Sequence, residues 1–240
     1  MALYEKSDLE LHIPLHHEKA GGLCRGEVTV IAGAPEVARG FGAWALQRAV
    51  EEDFDPLLVL PPRVPFGRAL VRRCGRMRAH TVNALGYEHL TASTWASLVG
   101  TQCRNKPRTR LVVVDLCGGL RIVEDRASRT VGGTIKNIAR ELDLSIFVLT
   151  TLRPFECTLF PEVLSFGHID ADPSIGEHAD ALLAPHRSTE GDERARVRLL
   201  WKRTHERAEA GFLWDEVRFG WPGGQAEPGN GPAPSVTSVG

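Results

Sequence analysis

The sequence lacks the features that mark membrane-spanning, secreted and zinc-binding proteins. No apolar run approaches the roughly 20 residues needed to cross a bilayer. The first residues are charged and contain no apolar signal core, so we expect a cytoplasmic protein with no membrane partner. The five cysteines include no CxxC pair, which favours reduced thiols over a disulfide framework or a zinc site.

The chain also lacks an excess of charge of either sign. Its formal net charge is −1, so no global field draws it toward nucleic acid, and any basic surface must be local. We interpret the local clusters of basic residues as solvated surface, and the more specific alternative is that they contact nucleic acid such as single-stranded DNA. The clusters are the arginines Arg68, Arg72, Arg73, Arg76 and Arg78 and the arginine-rich stretch 194–207.

Short apolar strands alternate with helical segments along most of the chain. We predict strands at Glu27–Ala32, Pro56–Leu60, Leu111–Asp115, Ser145–Thr150, Ala179–Ala184, Ala195–Trp201 and Gly211–Phe219. We predict helices at Phe41–Glu52, Phe66–Met77, Thr94–Val99 and Thr130–Leu142. This alternation indicates an α/β fold with a mostly parallel central sheet flanked by helices. Because no long helices separate the last strands, we expect antiparallel edge strands at the C-terminal end.

The two ends of the chain are expected to lie outside this fold. Residues 1–20 are predicted to form an irregular lead-in to a domain at 21–221. Residues 222–240 are too rich in glycine, proline and serine to pack, so we predict a disordered tail.

The first strand is followed by a predicted loop, and a later strand ends in Asp115. Ligands of open α/β sheets bind at the carboxyl ends of the strands. In P-loop NTPases, the loop GxxxxGK[ST] cradles phosphates and an acid at a strand end holds the Mg²⁺ shell. The candidate loop consists of Gly33, Ala34, Pro35, Glu36, Val37, Ala38, Arg39 and Gly40. Within it Ala38, Arg39 and Gly40 stand where the signature has glycine, lysine and a hydroxyl residue.

Four segments resemble the ATPase domain of the DnaB-like replicative helicases, in the same order and at the same spacing. They are GGLCRGEVTVIAGAPEVARGFGAWAL at 21–46, LVVVDLCGGL at 111–120, NIARELDLSIFVLTTL at 137–152 and SIGEHAD at 174–180. The resemblance covers about residues 20–220. It implies a RecA-like P-loop NTPase fold, ATP and Mg²⁺ as cofactors with Asp115 as the Mg²⁺-binding acid, single-stranded DNA as a partner, and self-association into rings.

At most of the functional positions that the resemblance implies, this sequence departs from the family. Arg63 stands in the place of the catalytic glutamate and Thr151 in the place of the nucleotide-sensing glutamine. An acid within residues 168–173 replaces an arginine that contacts DNA. Lys202 matches the lysine that acts in trans, and Arg203 or Arg207 lies near the position of the arginine finger.

These departures predict a protein without catalytic residues. An arginine cannot serve as a general base, and each lost base or transition-state donor typically costs about 10²–10⁴ in rate. We therefore expect a vestigial nucleotide site and a non-catalytic scaffold or regulator acting through protein partners or self-association, by analogy in DNA replication or recombination. The alternative is a divergent ATP-dependent DNA helicase or DNA-stimulated ATPase. In that case Arg39 would act in place of the P-loop lysine, and a displaced acid such as Glu36 would act in place of the catalytic glutamate.

Overall fold

The computed structural model of the chain describes residues 25–51, 53–60, 80–83, 89–117, 120–125, 130–153, 166–187, 196–203 and 206–213. The strands are β1 Val28–Ala32, β2 Leu57–Leu60, β3 His80–Asn83, β4 His89–Thr91, β5 Leu111–Asp115, β6 Arg121–Val123, β7 Ser145–Thr150, β8 Ala181–Arg187, β9 Arg196–Arg203 and β10 Glu206–Leu213. The α-helices are α1 Pro35–Glu51, α2 Ala92–Asn105, α3 Val131–Glu141 and α4 Pro173–His178, and a 3-10 helix spans Phe166–His168.

Eight strands form one sheet in the order β10-β9-β8-β1-β7-β5-β2-β3. The strands from β8 to β3 pair in parallel, and β9 and β10 continue the sheet as antiparallel edge strands. Both the mostly parallel sheet and its antiparallel edge are therefore confirmed. The short strands β4 and β6 form a separate parallel pair.

The central strands are buried on both faces, which is why each reads as a continuous apolar run. Every residue of β1, β5 and β7 is buried. One face packs on α2 and α3, within an apolar cluster that includes Trp95, Ile135 and Val148. The other face packs on α1, where the Phe41 and Phe147 rings lie 6.3 Å apart.

A largely buried ion pair between Lys136 and Asp180 holds the amino end of β1 in place. Nζ of Lys136 lies 2.6 Å from Oδ2 of Asp180 and donates to the carbonyl oxygen of Gly26 at 2.8 Å. The same Asp180 oxygen accepts the N–H of Val28 at 2.7 Å. One pair of charges therefore joins α3, β1 and the residue that precedes β8. Because both charges are also hydrogen-bonded to backbone, their desolvation is partly offset.

Several element bounds differ from those predicted from sequence. Helix α1 begins at Pro35 and not at Phe41, and α2 is longer than the predicted Thr94–Val99 because the Thr91 hydroxyl caps its start. Strand β10 begins earlier than the predicted Gly211–Phe219, and the last six residues of that prediction lie outside the described residues. Strands β3, β4 and β6 and helix α4 were not predicted. The predicted helix Phe66–Met77 and the terminal segments 1–20 and 222–240 lie outside the described residues.

Helices α3 and α4 approach each other more closely than any side chain allows. The N–H of Gly132 donates to the Ser174 hydroxyl at 2.9 Å. A Cβ placed on Gly132 would lie 1.9 Å from the backbone oxygen of Ser174. Glycine is therefore required at this contact for reasons of space.

We expect Gly132→Ala to lower the free energy of unfolding by about 1–3 kcal/mol, because backbone must move to admit the methyl group. Gly100→Ala is the matched control, since its added Cβ would meet only the Arg104 side chain, at 3.8 Å. Alanine inside a helix is more stable than glycine by about 0.5–1 kcal/mol, so the control should gain stability. Urea unfolding followed by circular dichroism measures both. Equal effects of the two substitutions would contradict the close contact.

Candidate functional site

The carboxyl ends of three neighbouring strands bring the sequence-predicted site residues together. Strand β7 lies between β1 and β5, with Ala32 opposite Thr150 and Asp115 opposite Leu149. The segment after β1, the residue Thr151 and Asp115 therefore share one edge of the sheet. This is the edge at which open parallel sheets bind their ligands.

The segment after β1 is not the loop that we predicted at Gly33–Gly40. The connection is two residues long, Gly33 and Ala34, and α1 starts at Pro35. The physical reason is local, because the fixed φ of a proline suits the first position of a helix and an acid in the first turn complements the helix dipole. The residues aligned with the phosphate-binding loop are therefore mostly helical.

Three backbone amides of this segment donate hydrogen bonds within the protein. The N–H groups of Val37 and Ala38 both donate to the carbonyl oxygen of Ala34, each at 2.9 Å. The N–H of Gly33 donates to the carbonyl oxygen of Thr150 at 3.2 Å. A phosphate cradle needs several amides that point at the ligand. These three amides bond within the protein instead.

A buried ion pair joins α1 to the end of β5. Nε of Arg39 lies 2.8 Å from Oδ2 of Asp115. The Asp115 side chain is fully buried and that of Arg39 is 10% exposed. The N–H of Cys117 donates to the other carboxylate oxygen, Oδ1, at 2.9 Å. Both oxygens of Asp115 therefore accept hydrogen bonds from protein groups.

Burial dominates the electrostatics of this pair. Desolvation raises the pKa of Asp115 above its ordinary value, while the charge of Arg39 and the hydrogen bonds from Arg39 and Cys117 act in the opposite direction. Burial, and then the Asp115 charge, raise the pKa of the Cys117 thiol far above its usual range. That thiol is therefore protonated at neutral pH and is a poor nucleophile.

The residue at the nucleotide-sensing position is bonded to the segment that precedes α4. The Thr151 hydroxyl donates to Oδ2 of Asp170 at 3.3 Å, and the N–H of Asp170 donates to the Thr151 carbonyl at 2.7 Å. The Thr150 hydroxyl donates to the carbonyl of Asp170 at 3.1 Å. Asp172 caps α4 by accepting the N–H of Ser174 at 2.9 Å. Acids thus occupy the stretch where the resemblance places a DNA-contacting arginine.

The remaining sequence-predicted residues are not part of this arrangement. Lys202 and Arg203 lie on β9, and Arg207 lies on β10 opposite Lys202. Strand β8 separates these two strands from β1. Arg63 lies outside the described residues.

Sequence reasoning named both Arg39 and Asp115 but missed that they pair. The signal was present, because a cation and an acid follow strands that a P-loop fold places close together. In the described part of the chain, no three His, Cys, Asp or Glu side chains are grouped so as to hold a metal ion. No helix among the same residues has the length and apolar character of a membrane span.

Comparison with known proteins identifies the fold. No protein-family model matches the chain, and no curated protein matches it either. Among solved structures, the chain is similar to the ATPase domain of G40P, with a TM-score of 0.66 at 13% identity, covering 82% of this chain and 84% of that one. It is also similar to a DnaB-like replicative helicase whose structure concerns its interactions with primase, with a TM-score of 0.62 at 13% identity.

The second match covers 81% of this chain but 58% of the helicase, so this chain spans little more than half of that protein's length. At this level of identity the likeness establishes the fold and not the activity. The chain has the RecA-like P-loop fold of helicase ATPase domains, as its sequence predicts.

We expect Arg39→Met to lower the free energy of unfolding by about 3–5 kcal/mol at neutral pH, because it leaves a buried carboxylate unpaired. The free energy of unfolding of the double variant Arg39→Met with Asp115→Leu should be within about 1 kcal/mol of the wild-type value or above it, since an apolar pair avoids desolvating charge. Urea unfolding of the two single variants and the double variant measures the coupling. Additive losses would contradict a direct pair.

The Arg39→Met loss should also depend on pH. Without its guanidinium, Asp115 retains the burial that raises its pKa. A group with a raised folded-state pKa contributes stability below its unfolded pKa and loses it as pH rises through the folded value. The deficit relative to wild type should therefore shrink as pH falls from about 7 toward about 4, near the ordinary pKa of an aspartate. A deficit that stays constant or grows on acidification would exclude Asp115 as its source.

Proposed function

We propose that this chain is a non-catalytic relative of the helicase ATPase domains that acts as a scaffold or regulator through protein contacts. One observation carries the proposal. The two residues that align with the P-loop lysine and the Mg²⁺-binding acid, Arg39 and Asp115, form a buried ion pair with each other.

The residues present do not fit ATP and Mg²⁺. A P-loop lysine reaches the β- and γ-phosphates, and a hydroxyl and an acid reach Mg²⁺. Here Arg39 is committed to Asp115, and Gly40 has no hydroxyl. Mg²⁺ needs nearly ideal octahedral geometry, with oxygen ligands at about 2.0–2.1 Å. A guanidinium in contact with Asp115, the acid aligned with the Mg²⁺-binding position, does not fit that shell.

We propose a role in protein contact because the fold is retained while the residues aligned with the nucleotide-binding and catalytic positions differ from those of the helicases. One of the similar structures is a helicase described with its interactions with primase. By analogy, we propose protein partners or copies of this chain as ligands, in a DNA replication or recombination assembly. We also propose a cytoplasmic location.

The alternative function is a divergent DNA helicase or DNA-stimulated ATPase, which the helicase-like fold favours. It requires Arg39 to leave Asp115 and an acid to replace the catalytic glutamate. Glu36, in the first turn of α1, is the candidate acid. The two functions differ in one measurable property, which is binding of Mg-ATP.

We expect millimolar Mg-ATP or Mg-ADP to leave the melting temperature unchanged. A ligand present at 100 times its Kd would add about 2.7 kcal/mol and raise the melting temperature by roughly 5–10 °C for a domain of this size. Differential scanning fluorimetry with and without single-stranded DNA measures the shift.

Phosphate release is the second readout. We expect no ATP hydrolysis above that of Glu36→Gln, the matched control that removes the candidate acid but keeps its size. DNA-stimulated hydrolysis that disappears in Glu36→Gln would overturn the proposal and establish the ATPase alternative.

A further inference from the structure

A cluster of cations at the opposite edge of the sheet is not explained by the nucleotide site. We call residues Arg104–Arg110, which join the end of α2 to the start of β5, the basic turn. Four of its seven residues are cations, Arg104, Lys106, Arg108 and Arg110, and none is acidic. The turn precedes β5, whereas Asp115 ends that strand.

The basic turn is held in one shape by its own backbone. The N–H of Lys106 donates to the carbonyl of Cys103 at 3.3 Å, and the N–H of Thr109 donates to the carbonyl of Lys106 at 2.9 Å. Nη1 of Arg110 donates to the carbonyl oxygens of Pro107 and Thr109, at 3.1 and 3.2 Å. A partner that binds this turn would therefore lose little free energy to ordering it.

Most of these cations have no carboxylate partner among the described residues. Arg108 pairs with Asp53, and Asp55 lies beside it because its N–H donates to the Arg108 carbonyl. Arg104 donates to the Thr101 hydroxyl at 3.3 Å. Within the described residues, Arg104, Lys106 and Arg110 make no ion pair. In the part of the chain that the structure describes, the four cations of the turn thus lie near two carboxylates, and Arg104 and Arg108 are exposed to solvent.

We propose that the basic turn docks an acidic segment of a partner protein, which is the kind of protein contact that the proposed function requires. Guanidinium groups bind carboxylates with paired, charge-assisted hydrogen bonds. A short acidic segment can place its carboxylates on Arg104 and Lys106 and avoid Asp53 and Asp55.

The same features disfavour nucleic acid as the occupant. Asp53 and Asp55 beside the turn repel a continuous row of phosphates. Single strands are usually held by bases stacked on aromatic side chains, and the turn contains no aromatic residue. The whole chain has a net charge of −1, which provides no long-range attraction for a polyanion.

The test is fluorescence anisotropy with a labelled hexaglutamate peptide as the probe, in about 50 mM salt without nucleotide. The double variant Arg104→Glu with Lys106→Glu should bind it at least about tenfold more weakly, because like charges then meet. The matched control is Arg121→Glu with Arg140→Glu, which changes the charge equally at exposed sites elsewhere. Arg104 and Arg140 each lie in the last turn of a helix, so helix-end effects cancel.

We expect the control to bind within about twofold of wild type, and wild-type binding to weaken as salt rises to about 300 mM. If the melting curve of the charge-reversal variant shows that it does not fold, the milder double variant Arg104→Gln with Lys106→Gln is used in its place. Equal weakening in the control, or no wild-type binding at low salt, would overturn the proposal. Tighter binding of labelled oligothymidylate through the same two residues would overturn it in favour of nucleic acid. Nucleotide binding is measured separately, so failure here and failure of the proposed function are distinct results.

Discussion

The contact between Arg39 and Asp115 is the constraint on which the site depends. It links β5 to α1, the helix that follows β1, although β7 lies between β1 and β5 in the sheet. A charge pair with this little exposure persists only when every participant is hydrogen-bonded, and Asp115 meets that condition through Arg39 and Cys117. The pair therefore fixes the end of β5 relative to α1. The pair also binds to each other the two side chains that the resemblance assigns to phosphate and Mg²⁺.

The early start of α1 and the ion pair are consistent with one another. A phosphate-binding loop keeps its backbone open, whereas here the helix begins two residues after β1. Starting the helix at Pro35 places Arg39 on a well-formed turn with a fixed backbone, next to the buried positions Val37, Ala38 and Phe41. A guanidinium held in this way is preorganised for a single partner. The departures of the sequence from the P-loop signature therefore have one structural outcome, which is a closed strand-to-helix connection.

The fold could be predicted further than the site. Runs such as LVVVD and SIFVLT identify central strands because a parallel sheet buries both faces, and their order relative to the helices indicates the topology. The strands His80–Asn83, His89–Thr91 and Arg121–Val123 were missed because each has three or four residues and several are polar. The Arg39–Asp115 pair spans 76 positions, so only the sheet order reveals it. Pro35 was a local signal for the start of α1, because proline suits the first position of a helix. The resemblance of residues 33–40 to a P-loop led to the prediction of a loop instead.

The position of β1 in the sheet has a consequence for synthesis on the ribosome. Its partners are β7 and β8, with Val28 opposite Ile146 and Thr29 opposite Ala181. Strand β1 therefore leaves the ribosome before either of the strands with which it pairs. Parallel pairings between distant segments form slowly, and exposed apolar strands aggregate in the meantime. The pairing of β1 is therefore complete only after β8 has been synthesised, and until then this apolar strand is exposed to aggregation.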